Sequence, residues 1–427
     1  MRLKSWGRLT EYSIDARALD SKSTTASQLK ARPALAHGAS RSYGDVAIAA
    51  SIWLTTNLDR FVEFDESTGQ LTVEAGVQLG DIQKLFAPRG WLLPVSPGTQ
   101  FVTVGGAIAN DIHGKNHHSA GTFGEHITEL TLVRTDGSER VCSKNENREL
   151  FEATIGGLGL TGLITQASIR LKKVPGPWID AETIPFKNID EFFRLSAESE
   201  AFEYSVAWFD CVSKSGHGIF TRGNHSKETK SLKPGRRITF PFTPPFSLIN
   251  RVTLGLLNTA YFAMGVITKG KKTVSYEKFF YPLDGIRHWN RAYGPKGFFQ
   301  HQCVLPGANA QPALQELLAA LRKAKAGSLL AVLKTTGERE LPGLLSFGVK
   351  GVTLALDFPN QGAKTLKLLA KLEDIVVKHG GRLNPAKDAT MKPETFRTGY
   401  PKLGRFLKQK DQGITSLFFE RVIERKP

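Results

Sequence analysis

At 427 residues the chain exceeds one ordinary domain, and at about 150 residues per domain it is expected to form two or three. Its 41% hydrophobic and 23% charged residues exclude a disordered chain. Lys+Arg exceed Asp+Glu by 57 − 40 = 17, which favours anionic partners (phosphates, nucleic acid or an acidic membrane surface) without choosing among them.

The first segment, MRLKSWGRLTEYSIDAR, has basic residues but no apolar run behind them and no twin arginine, so it does not read as a secretory signal. Strands are expected at 52–55, 61–64 and 71–73, separated by Asn57-Leu58-Asp59 and the turn Glu66-Ser67-Thr68-Gly69. Apolar residues at 79, 82, 85 and 86 predict a helix over 77–86 that stops at Pro88. A hairpin is expected from 130–134 and 139–142 around Thr135-Asp136-Gly137-Ser138. An alternating strand at 163–171 ends at Val174-Pro175-Gly176-Pro177, the first expected domain boundary. Next come a basic stretch (222–237), a proline-rich stretch (241–245), an apolar segment (246–267), and Lys269, Lys271 and Lys272. The apolar window 252–267 is interrupted by Thr253, Asn258 and Thr259 and is shorter than the roughly 20 residues that span a bilayer, so a soluble or peripheral, cytoplasmic protein is expected. Helical patterns at 312–326 and 363–379 flank a strand at 351–358, the order of an α+β layer with helices on one face of a sheet. The last segment, 382–427, carries a further basic helix that composition assigns to neither domain. Cys142, Cys211 and Cys303 lie far apart without CxxC spacing and read as small buried side chains.

Four segments carry candidate chemistry. In AHGASRSYGD, 36–45, a Gly38-Ala39-Ser40 turn after a strand would point consecutive N–H groups outward as a phosphate nest, with Arg41 adding charge; a plain tight turn is the competing reading. PGTQFVTVGGAIANDIHGKNHHSAGTFGEH, 97–126, concentrates glycines, which allow close backbone approach to a flat or charged ligand. Its histidines 113, 117, 118 and 126 lack an HExxH arrangement, so no metal site is expected. GGLGLTG, 156–162, runs into a strand rather than a helix, which argues against a Rossmann phosphate loop. In RLNPAKD, 382–388, Lys387 by itself reads as a solvated lysine.

Taken together, AHGASRSYGD, PGT…TVGGAIANDIHGKNHHSAG and GGLGLTG resemble the FAD-binding domain of the vanillyl-alcohol-oxidase/PCMH flavoprotein superfamily. YSVAWFD (204–210), YPLDGIRHWNRAYGPKG (281–297), residues 299–306 and GRLNPAKD extend the resemblance over nearly the whole chain, toward the branch that oxidises polyprenyl-phosphoryl-ribose. The resemblance implies an α+β fold with a discontinuous FAD domain, 1–174 plus the return segment 382–427, and an α+β substrate domain at 175–381. The implied FAD contacts are Ala36, His37, Gly38, Ala39, Ser40, Arg41, Ser42, Tyr43, Gly44, Asp45, Gly98, Thr103, Val104, Gly105, Gly106, Asn110, Asp111, Ile112, His113 and Ile164. Many superfamily members tether FAD through a histidine where this chain has Tyr43, so noncovalent FAD is expected.

The implied chemistry is oxidation of a sugar alcohol, with hydride passing from the carbinol carbon to flavin N5 and a base taking the hydroxyl proton. Lys387 or His113 is the expected base. Tyr43, Trp208, Tyr293, Gln300, Gln302 and Lys334 match positions lining the substrate pocket. The expected substrate is the 2′-hydroxyl of a polyprenyl-phosphoryl-β-D-ribose, and a soluble sugar, alditol or aldonolactone is the alternative. A short-chain reductase is the implied partner. The basic stretches flanking the apolar segment suit a lipid phosphate at a membrane surface, or else a loop over a core helix. Thr353, Ala355, Val206 and Asn384 depart from the branch, which leaves substrate identity open. Nucleic-acid binding is disfavoured because no nucleic-acid module is recognisable.

Overall fold

Alternating apolar residues build strands throughout the chain, and those strands sort into two main sheets. The computed structural model describes residues 1–232, 235 and 237–424. The first sheet runs in the order Glu139–Ser143, Ile127–Val133, Leu163–Arg170, Gln70–Glu74 and Phe61–Asp65, all antiparallel. The expected hairpin is present, and its turn places Gly137 at φ +85, a backbone region that glycine tolerates best. The expected helix spans Leu79–Phe86, with Leu79, Ile82 and Phe86 buried. It ends at Phe86, before Pro88, and a 3₁₀ turn, Ala87–Arg89, takes the proline into its first turn, where the missing N–H goes unused. Beside this sheet, Ser51–Leu54 pairs in parallel with Asp15–Ala18 and Leu35–His37.

The second sheet has eight antiparallel strands: Gly270–Ser275, Trp178–Phe186, Gly218–His225, Tyr204–Phe209, Val332–Thr336, Gly351–Pro359, Phe298–Pro306 and Arg382–Leu383. Helices Ala310–Lys323 and Ala363–Lys378 bury Leu314, Leu317, Leu321, Leu368, Leu372 and Ile375 in one core with Cys303, Leu305, Leu354 and Leu356. The fold is α+β. All three cysteines are buried and free.

Three local readings change. The return segment carries no single basic helix: the Arg382–Leu383 strand extends the second sheet, then come short helices at Pro393–Gly399, Leu403–Gln409 and Leu417–Phe419. Pro401 disfavours helix at Tyr400 and ends the first of them. The basic stretch 222–237 is not a uniform loop, because Arg222 lies in the Gly218–His225 strand and pairs with Glu182 at 2.8 Å; Lys233, Pro234 and Arg236 lie outside the described residues. The apolar segment forms helix Arg251–Ile267, but it is no core helix: it buries only Leu254, Asn258 and Gly265 and leaves Val252, Leu256 and Ile267 exposed. Among the described residues no helix is long and apolar enough to cross a membrane.

The return segment lies against the first loop. Arg421 spans Asp45 and Asp388, with contacts of 3.0 Å to each carboxylate, and donates to the Met391 carbonyl. Tyr43 N–H donates to the Ala386 carbonyl, and a Cβ on Gly44 would fall 1.6 Å from the Asp388 carbonyl oxygen. Removing the arginine strands two largely buried carboxylates side by side. Arg421→Met is expected to lower stability by about 3 kcal/mol, read by chemical denaturation of the purified protein; an unchanged midpoint would remove the ion triad from the account of this seam.

Candidate active site

A cavity of about 510 Å³ lies between the two sheets, walled by the glycine loops of the first and floored by the second. The Leu35–His37 strand delivers the first loop. His37 staples it: its Nδ1–H donates to the Ala47 carbonyl at 2.7 Å, so Nε2 accepts from Ser40 Oγ at 2.6 Å. Ser40 stands at φ +56 and turns the chain so that Arg41 stacks over Trp6 at 4.6 Å. Arg41 Nε is buried without a partner.

The second loop closes against the first. Thr103 caps helix Val104–Ala109 by accepting from Gly106 N–H, and the same Oγ1 would lie 2.5 Å from a Cβ on Gly38. Gly98 lines the cavity, and a Cβ built on it meets nothing within 4 Å. Asn110 donates to the Gly106 carbonyl while its Oδ1 is buried and unpaired. Gly105, Gly106, Ile112, His113, Gly159, Gly162 and Ile164 complete this wall.

Register explains the floor. Side chains two apart on a strand share a face. Gln300 and Gln302, Val332 and Lys334, and Thr353 and Ala355 therefore point together from three strands in which Gln302 opposes Ala355 and Lys334 opposes Thr353. The return segment adds Asn384, Ala386 and Lys387.

The polar groups of the floor form a directed chain. Ala386 N–H donates to Asn384 Oδ1, leaving Asn384 Nδ2 to donate to Gln302 Oε1 at 3.1 Å. Gln302 Nε2 then faces His113 Nε2 at 3.0 Å as a donor, which places the imidazole proton on Nδ1, 3.2 Å from Lys334 Nζ. Lys334 accepts that proton only as a neutral amine. Its surroundings agree: burial, reinforced by the charges of Lys115 and Lys387, pushes the Lys334 amine down to about 7. Burial and Lys334 hold His113 well below the ordinary imidazole range.

Lys387 sits differently. Its Nζ lies 4.1 Å from the centre of the Tyr43 ring and has no hydrogen-bond or ion-pair partner among the described residues. Burial brings it down to about 8, against the opposing charge of Asp357. Asp357, pushed up to about 7 by burial, accepts from Gln300 Nε2 at 2.6 Å.

Six of the expected site residues do not line the cavity. Gly44 and Asp45 pack against the return segment. Val104 is buried in the first core, and Asp111 accepts from Gly124 N–H and Ser346 Oγ behind the second loop. Trp208 donates Nε1–H to the Leu329 carbonyl and meets the edge of Tyr261. Tyr293 stacks on Phe298 at 4.2 Å. Among the described residues no group of three or more His, Cys, Asp or Glu could hold a metal ion.

The model of an FAD binding domain matches residues 25–143. Over 95% of its length the chain is 33% identical to the decaprenylphosphoryl-beta-D-ribose oxidase of Mycolicibacterium smegmatis, covering 93% of that protein. The chain belongs to the PCMH-type FAD-binding oxidoreductases. An uncharacterized Streptomyces coelicolor protein is 28% identical over 77% of the chain and 94% of its own length. A D-lactate dehydrogenase of Anaerostipes hadrus is 27% identical over only 38% of the chain and 36% of its own length.

The cavity of this flavoprotein fits FAD. Its wall presents backbone at Gly38, Gly98, Gly105 and Gly106, an unpaired donor in Arg41 Nε and an unpaired acceptor in Asn110 Oδ1. Sequence reading missed Asp357, which carries no motif and becomes notable only through burial beside Gln300. It also missed the part of Asn384, noted only as a departure. Gly98→Leu should fold, because its Cβ has open space, yet fill the cavity. We expect unchanged apo-protein thermal stability with flavin affinity reduced at least tenfold; a variant that isolates fully yellow would take Gly98 out of the cofactor wall.

Proposed function

We propose that this flavoprotein oxidises the 2′-hydroxyl of a polyprenyl-phosphoryl-β-D-ribose to a ketone, the first half of an epimerisation to arabinose that a short-chain reductase completes. The observation that carries this reading is the reach of the similarity to a decaprenylphosphoryl-beta-D-ribose oxidase, which extends beyond the flavin-binding half into the sheet that floors the cavity. The same reading divides the chain into a FAD domain of residues 1–174 and 382–427 and a substrate domain of residues 175–381. It takes FAD as noncovalent, with tyrosine at position 43 where a histidyl tether would stand.

When bound, FAD supplies the two-electron acceptor that alcohol oxidation requires. Lys387 takes the hydroxyl proton. It is the cavity amine without a partner, and burial brings it down to about 8, which raises its neutral share near physiological pH far above that of an ordinary lysine. His113 is the weaker candidate, since both of its nitrogens are engaged, by Gln302 and Lys334. Its place in the mechanism is to orient Lys334 through Nδ1, and a neutral Lys334 leaves one positive charge fewer to oppose proton uptake by Lys387. Gln300, oriented by Asp357, and Tyr43, under Lys387, position the sugar. The exposed apolar residues of helix Arg251–Ile267, with Lys269, Lys271 and Lys272 beside them, support contact with a membrane that holds the lipid substrate.

Two measurements test the reading. Under anaerobic conditions polyprenyl-phosphoryl-ribose should bleach the flavin absorbance rapidly; bleaching by a free sugar, alditol or aldonolactone but not by the lipid would replace the substrate class. Lys387→Met should retain FAD and lose roughly 10²–10⁴-fold in the rate of bleaching. A base must be neutral to act, so the wild-type rate should rise with pH and level off above about 8. A flat profile, or full activity in Lys387→Met, would exclude Lys387 as the base.

A further inference from the structure

A second cavity, of about 560 Å³, opens beside the first and shares Trp6, Ser40, Arg41 and His288 with it. Lys4, Arg8 and Arg291 also line it. None of Lys4, Arg8, Arg41 and Arg291 has an acidic side chain within 4 Å among the described residues. Asp284 is the carboxylate whose charge reaches Arg41, and it is already engaged by Gln100 N–H. The cations repel one another: beyond the effect of burial, Arg291 depresses Arg8, and Arg291, Arg41, Arg287 and Arg8 depress His288. Arg8 and His288 both stand at φ +57, a conformation that non-glycine residues hold only where the surroundings enforce it. Arg291 is fixed by donating one nitrogen to the Phe240 and Pro241 carbonyls, which leaves its other N–H groups for a ligand.

The rim of this cavity is apolar. Phe242 lines it and is 65% exposed. The short strand Ile238–Thr239 pairs with Ile286–Arg287 alongside, leaving Ile238 70% exposed. A soluble phosphate has no use for exposed phenylalanine and isoleucine, whereas a phosphate carrying a hydrocarbon chain meets both features at once.

We propose that the second cavity binds the phosphate of an isoprenoid-type lipid phosphate, with Arg8 and Arg291 on its oxygens and the chain leaving over Phe242 and Ile238. The assignment rests on the lipid-linked sugar reading of the first cavity. It adds the phosphate and chain subsites, which place the attached sugar toward the shared wall at Arg41 and His288.

The experiment uses the FAD-loaded protein. Quenching of tryptophan fluorescence, reported by Trp6 in the cavity wall and the neighbouring Trp289, is titrated with farnesyl phosphate, farnesol and inorganic phosphate. Farnesyl phosphate should bind more tightly than either of the others, and Arg8→Gln and Arg291→Gln should each weaken it roughly tenfold without changing farnesol binding. Flavin content, unchanged in both variants, serves as the check on folding; if one variant loses flavin, the other decides. Equal affinity for inorganic and farnesyl phosphate would reassign the cavity to free phosphate and overturn the lipid assignment. Farnesyl phosphate affinity indifferent to both substitutions, or seen only after FAD is stripped, would overturn the site itself. Arginine-dependent binding without flavin bleaching by polyprenyl-phosphoryl-ribose would leave this site standing and reject the proposed reaction instead.

Discussion

The site depends on one seam, where the end of the chain lies across the first glycine loop. Arg421 joins Asp45 to Asp388, Tyr43 N–H donates to the Ala386 carbonyl, and the absence of a side chain at Gly44 lets the two backbones touch. Those contacts set Lys387 over the Tyr43 ring and bring Asn384 to Gln302. Neither residue could reach the cavity from its own segment alone. Largely buried charges of opposite sign fix the register here, because any slip would leave a carboxylate or a guanidinium unpaired in a poorly solvated place.

Burial then decides what the cavity can do. The chain carries a large positive excess, yet its site lysines are drawn toward neutrality: Lys334 to about 7 and Lys387 to about 8, as is Lys115 nearby at about 7. The amide chain from Ala386 through Asn384 and Gln302 to His113 gives that neutrality a direction, since it begins at a backbone N–H that cannot be turned around. At the second cavity the cations are mostly guanidinium groups, and among the described residues no acidic side chain lies within 4 Å of them. One cavity therefore holds amines that burial brings toward neutrality, and its neighbour holds guanidinium groups.

Much of the fold was legible along the chain. Period-two and period-3.6 patterns marked the hairpin near Gly137, the Leu79–Phe86 helix and the two helices on the second sheet, because local periodicity and turn chemistry act over a few residues. The failures are equally physical. The last segment looked like one basic helix but breaks at Pro401 into short helices, and the apolar segment, open between a membrane-facing helix and a core helix, keeps much of its apolar surface outside. Apolar composition alone does not say whether another element will cover a helix.

The sequence by itself determined which loops are rich enough in glycine to present backbone to a ligand, since glycine freedom is a local property. It also carried the resemblance that gathered Lys387, His113, Lys334 and the glutamines into one site. Only the tertiary structure decided which matched positions face the cavity. Asp45, Asp111, Trp208 and Tyr293 turn to packing or to hydrogen bonds behind it. Asn384, noted only as a departure, lines it, and Asp357, which has no motif, orients Gln300 from behind. The reason is that a side chain's partner and its desolvation are set by whatever opposes it across the fold, and that partner is usually far away in the chain.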